Sequence, residues 1–318
     1  MTAFIIRRLI LAIFVLFAVT LLIFFAMRLL PGDPLILYFA QSNVLADFTP
    51  ERLAELHHEY GLDRPIIVQY FSWLGGVFHG NFGNSLFYHQ NVLELLKLRY
   101  PITLYLGLIS FIISALLGML AGLLAAIRRG TWLDNVITPS TYVGITIPIF
   151  WLGVLMIYVF GIRLNWLPII YTSPPESFWM GVKQVIMPVI CLSVPAIAGI
   201  ARQMRSSMLE VIRQDYIRTA WSKGLVERSV ILKHALKNSL IPVITVLGLQ
   251  FSIIVGGSVI VETVYAIPGI GYLMVGSIFN QDYAVVQACT LVFAVMIVFA
   301  NLLVDISYGW VDPRIKYG

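Results

Sequence analysis

Six stretches of this chain carry no charged side chain for long enough to cross a lipid bilayer: about 9–27, 102–127, 136–162, 184–201, 239–261 and 283–304. A spanning helix needs roughly 17–25 such residues. Inside hydrocarbon the backbone must satisfy its own hydrogen bonds, which leaves the helix as the form these segments can take. The pattern predicts one all-α integral membrane domain of six transmembrane helices. Composition agrees, since 59% of the 318 residues are hydrophobic and only 12% are charged, where soluble chains carry about a quarter charged residues.

The basic residues predict the orientation. With the N-terminus inside, fourteen of the 21 Lys and Arg residues fall on the cytoplasmic side: Arg7, Arg8, Arg128, Arg129, eight between 202 and 237, Arg314 and Lys316. The positive-inside rule then predicts that both termini are cytoplasmic. Charges sorted by the membrane in this way do not form the aromatic-interleaved basic patch of a nucleic-acid binder. Cys191 and Cys289 fall inside spans, where buried, inert thiols are expected and no disulfide framework can be read.

Arg7 and Arg8 precede an apolar run of full span length with no small-residue cleavage site, so the first span is expected to stay attached, with Arg28 snorkelling at its outer end. Pro31-Gly32-Asp33-Pro34 breaks the helix. Thr49, Pro50 and Glu51 form a helix start, with Leu53, Leu56 and Tyr60 as an apolar stripe ending at Gly61. A second amphipathic helix is expected over about Pro65 to Phe78, its Tyr70, Trp73 and Leu74 suited to the membrane interface. These segments predict a small extracytoplasmic subdomain, so the chain divides into 1–30 (tail and first helix), 31–100 (subdomain) and 101–318 (five-helix core). His57, His58, His79 and His89 lie in this outer part, but no HxxxH or HxxEH spacing occurs, so no metal site is expected.

Within the core, Gly118 and Gly122 form a GxxxG pair suited to close helix contact. Pro139, Pro148, Pro188 and Pro195 free backbone groups inside the third and fourth spans, which lets those helices bend. Trp166, Tyr171, Phe178 and Trp179 suggest an aromatic outer belt. Between the fourth and fifth spans lies a basic amphipathic loop, 206–238. Ser207 with Glu210 fits a capping box that would open a helix, Gly224 fits its left-handed close, and a second helix is expected over Val226 to Lys237. Leu209, Ile212, Tyr216 and Ala220, then Val230, Ile231 and Leu236, recur at helical spacing; Arg213, Arg218, Lys223, Arg228, Lys233 and Lys237 fill the other faces. On charge alone such a loop serves equally well as a topological anchor.

The order of residues in that loop carries a resemblance. Asp215 to Leu225, DYIRTAWSKGL, resembles the Glu-Ala-Ala loop of ATP-binding cassette (ABC) importer permeases, in which the triplet is followed after three residues by Gly. Here the triplet is Arg218, Thr219, Ala220 and the glycine is Gly224, similar to the variant of dipeptide, oligopeptide and nickel permeases. The family's closing Ile-x-Leu-Pro is replaced at His234, Leu236 and Lys237. Pro31 to Pro34, Gly61 to Pro65, His79 to Gly83, Glu262 to Tyr265, Ile267 to Gly271, Asn280 to Tyr283 and Asp312 to Tyr317 also resemble segments of the B-type subunit of dipeptide and oligopeptide permeases.

The resemblance implies a permease fold with a cytoplasmic coupling helix between helices four and five, in the bacterial inner membrane. It implies Tyr216, Arg218, Thr219, Ala220, Lys223, Gly224 and Leu225 as ATPase-coupling residues. The implied partners are a second homologous permease subunit, two ATP-binding cassette ATPase subunits and an extracytoplasmic substrate-binding protein, around membrane lipid. Its cargo would be di- or oligopeptide, with nickel or a metal chelate as the alternative. No G-x-x-x-x-G-K-[ST] occurs, so ATP and Mg would be bound by the partner ATPases and no catalytic or cofactor residue is expected here. No ionisable residue lies mid-span, which disfavours an ion-coupled carrier or channel. The chain lacks HExxH as well. The turn at Ile267-Pro268-Gly269-Ile270-Gly271 is expected to open a short helix, about 271–279, dipping back toward the pore.

Overall fold

The computed structural model describes residues 2–29, 35, 49–59 and 61–311. Pro31 to Pro34, Tyr60 and the Asp312 to Tyr317 segment lie outside the described residues. Among the described residues these helices follow in order: α1 Thr2–Leu29, α2 Pro50–Glu59, α3 Ile66–Phe78, α4 Val92–Ile127, α5 Trp132–Thr146, α6 Ile149–Arg163, α7 Phe178–Val211, α8 Asp215–Ser222, α9 Glu227–Val264, α10 Ile270–Phe279 and α11 Tyr283–Val311. Among the described residues the extended structure is one isolated bridge, Asn84 to Asn91.

Among the described residues five helices (α1, α4, α7, α9 and α11) are each long and apolar enough to span, and α5 and α6 pass the same test only together, as a bent pair. The expected continuous third span is thus two helices meeting at 102°. The break sits at Ile147 and Pro148, where both residues are extended. Proline has no N–H to give the ladder and disfavours helical geometry in the residue before it. Pro139, Pro188 and Pro195 lie inside unbroken helices. Apolar side chains cover α1 on all sides, with Ile10, Ile13 and Phe14 exposed, as lipid-facing helices require.

One compact unit contains Leu104–Ile267 with the two chain ends. Its axis is α7, whose buried residues run from Gln184 to Met208. Small residues let the neighbours close on it. A Cβ on Gly118 would lie 2.8 Å from the Ile200 Cβ, and one on Gly122 would lie 2.6 Å from the Met204 Cβ, so the GxxxG pair is the contact of α4 with α7. On α5, Gly144 meets Ala198 in the same way. Ser193 donates from Oγ to the Ser110 carbonyl at 3.2 Å, adding a polar tie between α7 and α4. Cys191 is buried in this unit.

The other unit contains Ile10–Thr103 and Pro268–Met296. Thr49 caps α2, its Oγ1 accepting from the Arg52 N–H at 3.2 Å. Tyr70 of α3, expected at a membrane interface, is instead buried against α1. Its ring meets Phe17 and Phe24 edge-on, and its hydroxyl lies 3.0 Å from Thr20 Oγ1. An aromatic with one polar tip suits a helix contact that has a hydroxyl at one end as well as it suits an interface. The short helix expected after the Ile267 to Gly271 turn is α10, with the Ile270 N–H donating to Thr103 Oγ1 at 2.8 Å. Asp282 precedes α11 and accepts from the Ser85 hydroxyl and from the N–H groups of Phe87 and Val285. Burial pushes this carboxyl above its ordinary range, against the hydrogen bonds that favour its charged form.

Candidate coupling site between the fourth and fifth spans

The loop after the fourth span is built differently from the sequence expectation. Ser207 opens no helix: it is buried inside α7, where its Oγ accepts from Gln203 Nε2 at 3.2 Å. The chain breaks later, at Ile212 to Gln214, where the N–H groups of Arg213 and Gln214 reach back to Glu210 and Val211. That break resets the helical register. Reading one helix from Ser207 puts Tyr216 on the apolar face with Leu209 and Ile212; in α8 the inward residues are Ile217, fully buried, and Ala220. Tyr216 is 46% exposed.

Ile217 and Ala220 are spaced to fall on one face of α8. They enter a core with Ile200, Met204 and Met208 of α7, Ala126 of α4, and Val230, Ala235 and Val243 of α9. The second expected helix is the first part of α9, which runs without a break from Glu227 into the fifth span through a π-helical turn over Val230–Ala235. Val230 is buried and Ile231 and Leu236 pack beside it, as their spacing implied. The short helix α8 is therefore held by the ends of two long ones.

Gly224 closes α8. Its φ is +76°, the Leu225 N–H donates to the Ala220 carbonyl at 3.4 Å, and the Gly224 N–H donates to that of Trp221 at 2.9 Å. This pair of bonds is the Schellman arrangement, which glycine forms without a Cβ penalty. No atom lies within 4 Å of a Cβ built there, so the constraint on this residue is conformational rather than steric.

With Ile217 and Ala220 turned inward, the remaining residues of the turn face out. Tyr216, Arg218, Thr219, Lys223, Gly224 and Leu225 are all exposed, whereas Ala220 is 8% exposed and belongs to the supporting core. Trp221 and Val226, which periodicity did not single out, are exposed beside them. The hydroxyls of Thr219 and Ser222 are spent on the carbonyls of Asp215 and Arg218. Arg218 makes an open pair with Asp215 at 3.5 Å, of the surface kind that contributes little. Arg213, Lys223 and Arg228 add exposed positive charge. The site is thus an apolar and cationic knuckle with no catalytic constellation.

A second feature fixes the approach to the knuckle. Arg205, near the end of α7, grips Asp134 of α5 with two hydrogen bonds, Nε to Oδ1 at 2.7 Å and Nη2 to Oδ2 at 3.0 Å. Asp134 also accepts from the Gly130 N–H and the Thr138 hydroxyl, so the turn after α4 is tied to α7. The two residues stand 71 apart in the chain, so no local sequence pattern marks them as partners. Among the described residues no group of three or more His, Cys, Asp or Glu is placed to hold a metal ion.

Comparison with known proteins places this geometry. Residues 118–317 match the family described as binding-protein-dependent transport system inner membrane component, and residues 1–107 match its N-terminal companion. A probable peptide ABC transporter permease of Sinorhizobium fredii is 40% identical over the whole of both chains. The oligopeptide transport permease AppB of Bacillus subtilis is 41% identical over the whole of both, and the dipeptide transport permease DppB of Escherichia coli is 37% identical over all of this chain and 99% of its own. Among solved structures, the inward-facing MetNI methionine ABC transporter aligns with a TM-score of 0.55 at 21% identity, covering 69% of this chain and 97% of that one. An amino acid ABC transporter crystallised with histidines aligns at 0.54 and 15%, covering 68% and 94%. These likenesses show the fold, and the full-length sequence identities show the family. The chain belongs to the binding-protein-dependent transport system inner membrane components, the permease subunits of ABC importers.

Proposed function

We propose that this permease carries di- or oligopeptides inward, delivered by an extracytoplasmic binding protein and driven by ATPase subunits that seat on the knuckle of α8 and Gly224. The observation that supports this most is full-length identity of about 40% to permeases named for peptide, dipeptide and oligopeptide transport. In this reading Tyr216, Arg218, Thr219, Lys223, Gly224 and Leu225 meet the ATPase, with Trp221 and Val226 widening the apolar contact. Ala220 acts from behind, holding the helix to α7 and α9. ATP and Mg stay with the ATPases and this chain performs no hydrolysis.

The remaining architecture follows from that reading. Residues 31–100 form an extracytoplasmic subdomain, 101–318 form the permease core, 206–238 face the cytoplasm, and both termini are cytoplasmic. A second homologous permease and two ATPases complete the importer. Because α8 shares its core with α7 and α9, a push on the knuckle moves both spans together, and the bundle rocks between outward and inward openings. The test is ATP hydrolysis by the reconstituted importer with its binding protein. Di- or tripeptide should stimulate it several-fold; stimulation by nickel or a nickel chelate and by no peptide would overturn the peptide assignment.

A further inference from the structure

The unit containing residues 10–103 and 268–296 carries an open cleft of about 370 Å³. Its size falls in the range of small-molecule sites. Segments distant in the chain converge on it: Gly61, Leu62 and Arg64 from the turn before α3, Asn81 to Asn84 after it, and Asp282 to Ala284 at the start of α11. None of these segments is used by the coupling site.

The wall is rich in donors that the protein leaves bare. Arg28 Nε, Trp73 Nε1 and Gln287 Nε2 are closed from water with no acceptor among the described residues, and Gln287 is only 3% exposed. The Arg28 guanidinium lies between the rings of Phe24 and Tyr283, 5.1 and 5.0 Å from their centroids, which fixes its plane. Its Nη2 donates to a neutral amide oxygen, Gln69 Oε1, at 2.6 Å. Among the described residues of the lining the one carboxylate, Asp282, is already engaged by Ser85, Phe87 and Val285. Exposed Arg64 adds a second positive charge. Bare N–H groups and excess positive charge select an occupant that brings acceptor oxygens and negative charge, and they disfavour a cation.

We propose that this cleft binds an oxyanion, a carboxylate or phosphate group held by Arg28 with Gln287 and Trp73 as neutral donors. Two sources share this chemistry: the phosphate of an anionic phospholipid, and a soluble carboxylate or phosphate. The proposal is independent of the peptide-cargo reading, because it concerns the outer wall and not the transported molecule.

The test is hydrogen–deuterium exchange of segments 61–84 and 282–290 in the native importer isolated through a tag on this chain and placed in phosphatidylcholine nanodiscs. Three probes are compared: inorganic phosphate, trialanine, and phosphatidylglycerol included in the bilayer. At least threefold slower exchange in both segments is expected with one probe class, with loss of that protection in Arg28→Gln and weakening in Gln287→Leu. Protection by phosphatidylglycerol alone identifies a lipid headgroup; protection by phosphate or trialanine identifies a soluble anion. If Arg28→Gln is not recovered from the membrane, Gln287→Leu and Trp73→Phe decide the question. Absence of protection by all three probes, or equal protection in wild type and the recovered variants, overturns the site.

Discussion

Gly224 is the residue at which local conformation and function meet most closely. Its positive φ needs no side-chain room, so Gly224→Val introduces strain without a clash in this chain. A β-branched residue pays about 1–2 kcal/mol in that region, equivalent to a roughly 5- to 30-fold change in an equilibrium. The expected outcome is a loss of that order in ATPase co-purification, with unchanged amounts of the chain in the membrane; wild-type co-purification would remove the turn from the docking surface. This residue was legible in the sequence because a left-handed close has a recognisable chemistry. Tyr216 was not: helical spacing put it on the apolar face with Ala220, and after the break at Ile212 to Gln214 Ala220 faces inward beside Ile217 while Tyr216 is exposed. Replacing Ile217 with Ala opens a cavity in the shared core, a change that costs about 2–5 kcal/mol in well-packed sites. Segment 212–226 should become several-fold more sensitive to protease in inverted vesicles, while Tyr216→Ala should leave that sensitivity unchanged.

At the scale of elements, hydrophobic runs found the spans but not their joints. Apolar length is a local property, so α1, α4, α7, α9 and α11 could be read directly; the GxxxG pair could be read as a close contact, but not that its partner is α7. The 102° break at Pro148 could not be told from the unbroken helices around Pro139, Pro188 and Pro195, because every proline removes one N–H and the sequence does not show at which one the chain leaves the helix. Nor did charge pattern reveal the grip of Arg205 on Asp134, since both sit at helix ends where single charges are ordinary. The Asp134 side chain is 7% exposed and that of Arg205 27%, so removing Asp134 leaves a partly buried guanidinium without its partner. Asp134→Ala should speed amide exchange across 128–138 by at least tenfold, and Asp134→Glu should recover part of the loss; unchanged exchange in Asp134→Ala would mean that the pair does not tie these elements.

The whole molecule is organised by a membrane that its charges describe. The proposed topology places Gln90 outside and Ser222 inside, and both are exposed, whereas Ser85 is buried against Asp282 and would report packing instead. In a background lacking Cys191 and Cys289, an impermeant thiol reagent added to sealed cells should label Gln90→Cys and spare Ser222→Cys until the membrane is opened. Labelling in the reverse order would invert the orientation. The central claim, that the knuckle of α8 and Gly224 seats the ATPase, is tested most directly by a photo-crosslinking amino acid at Leu225 in the assembled importer. A covalent product with the ATPase subunit is predicted, absent when the same group stands at Gln90; a product with lipid or with this chain alone, and none with the ATPase, would contradict the account.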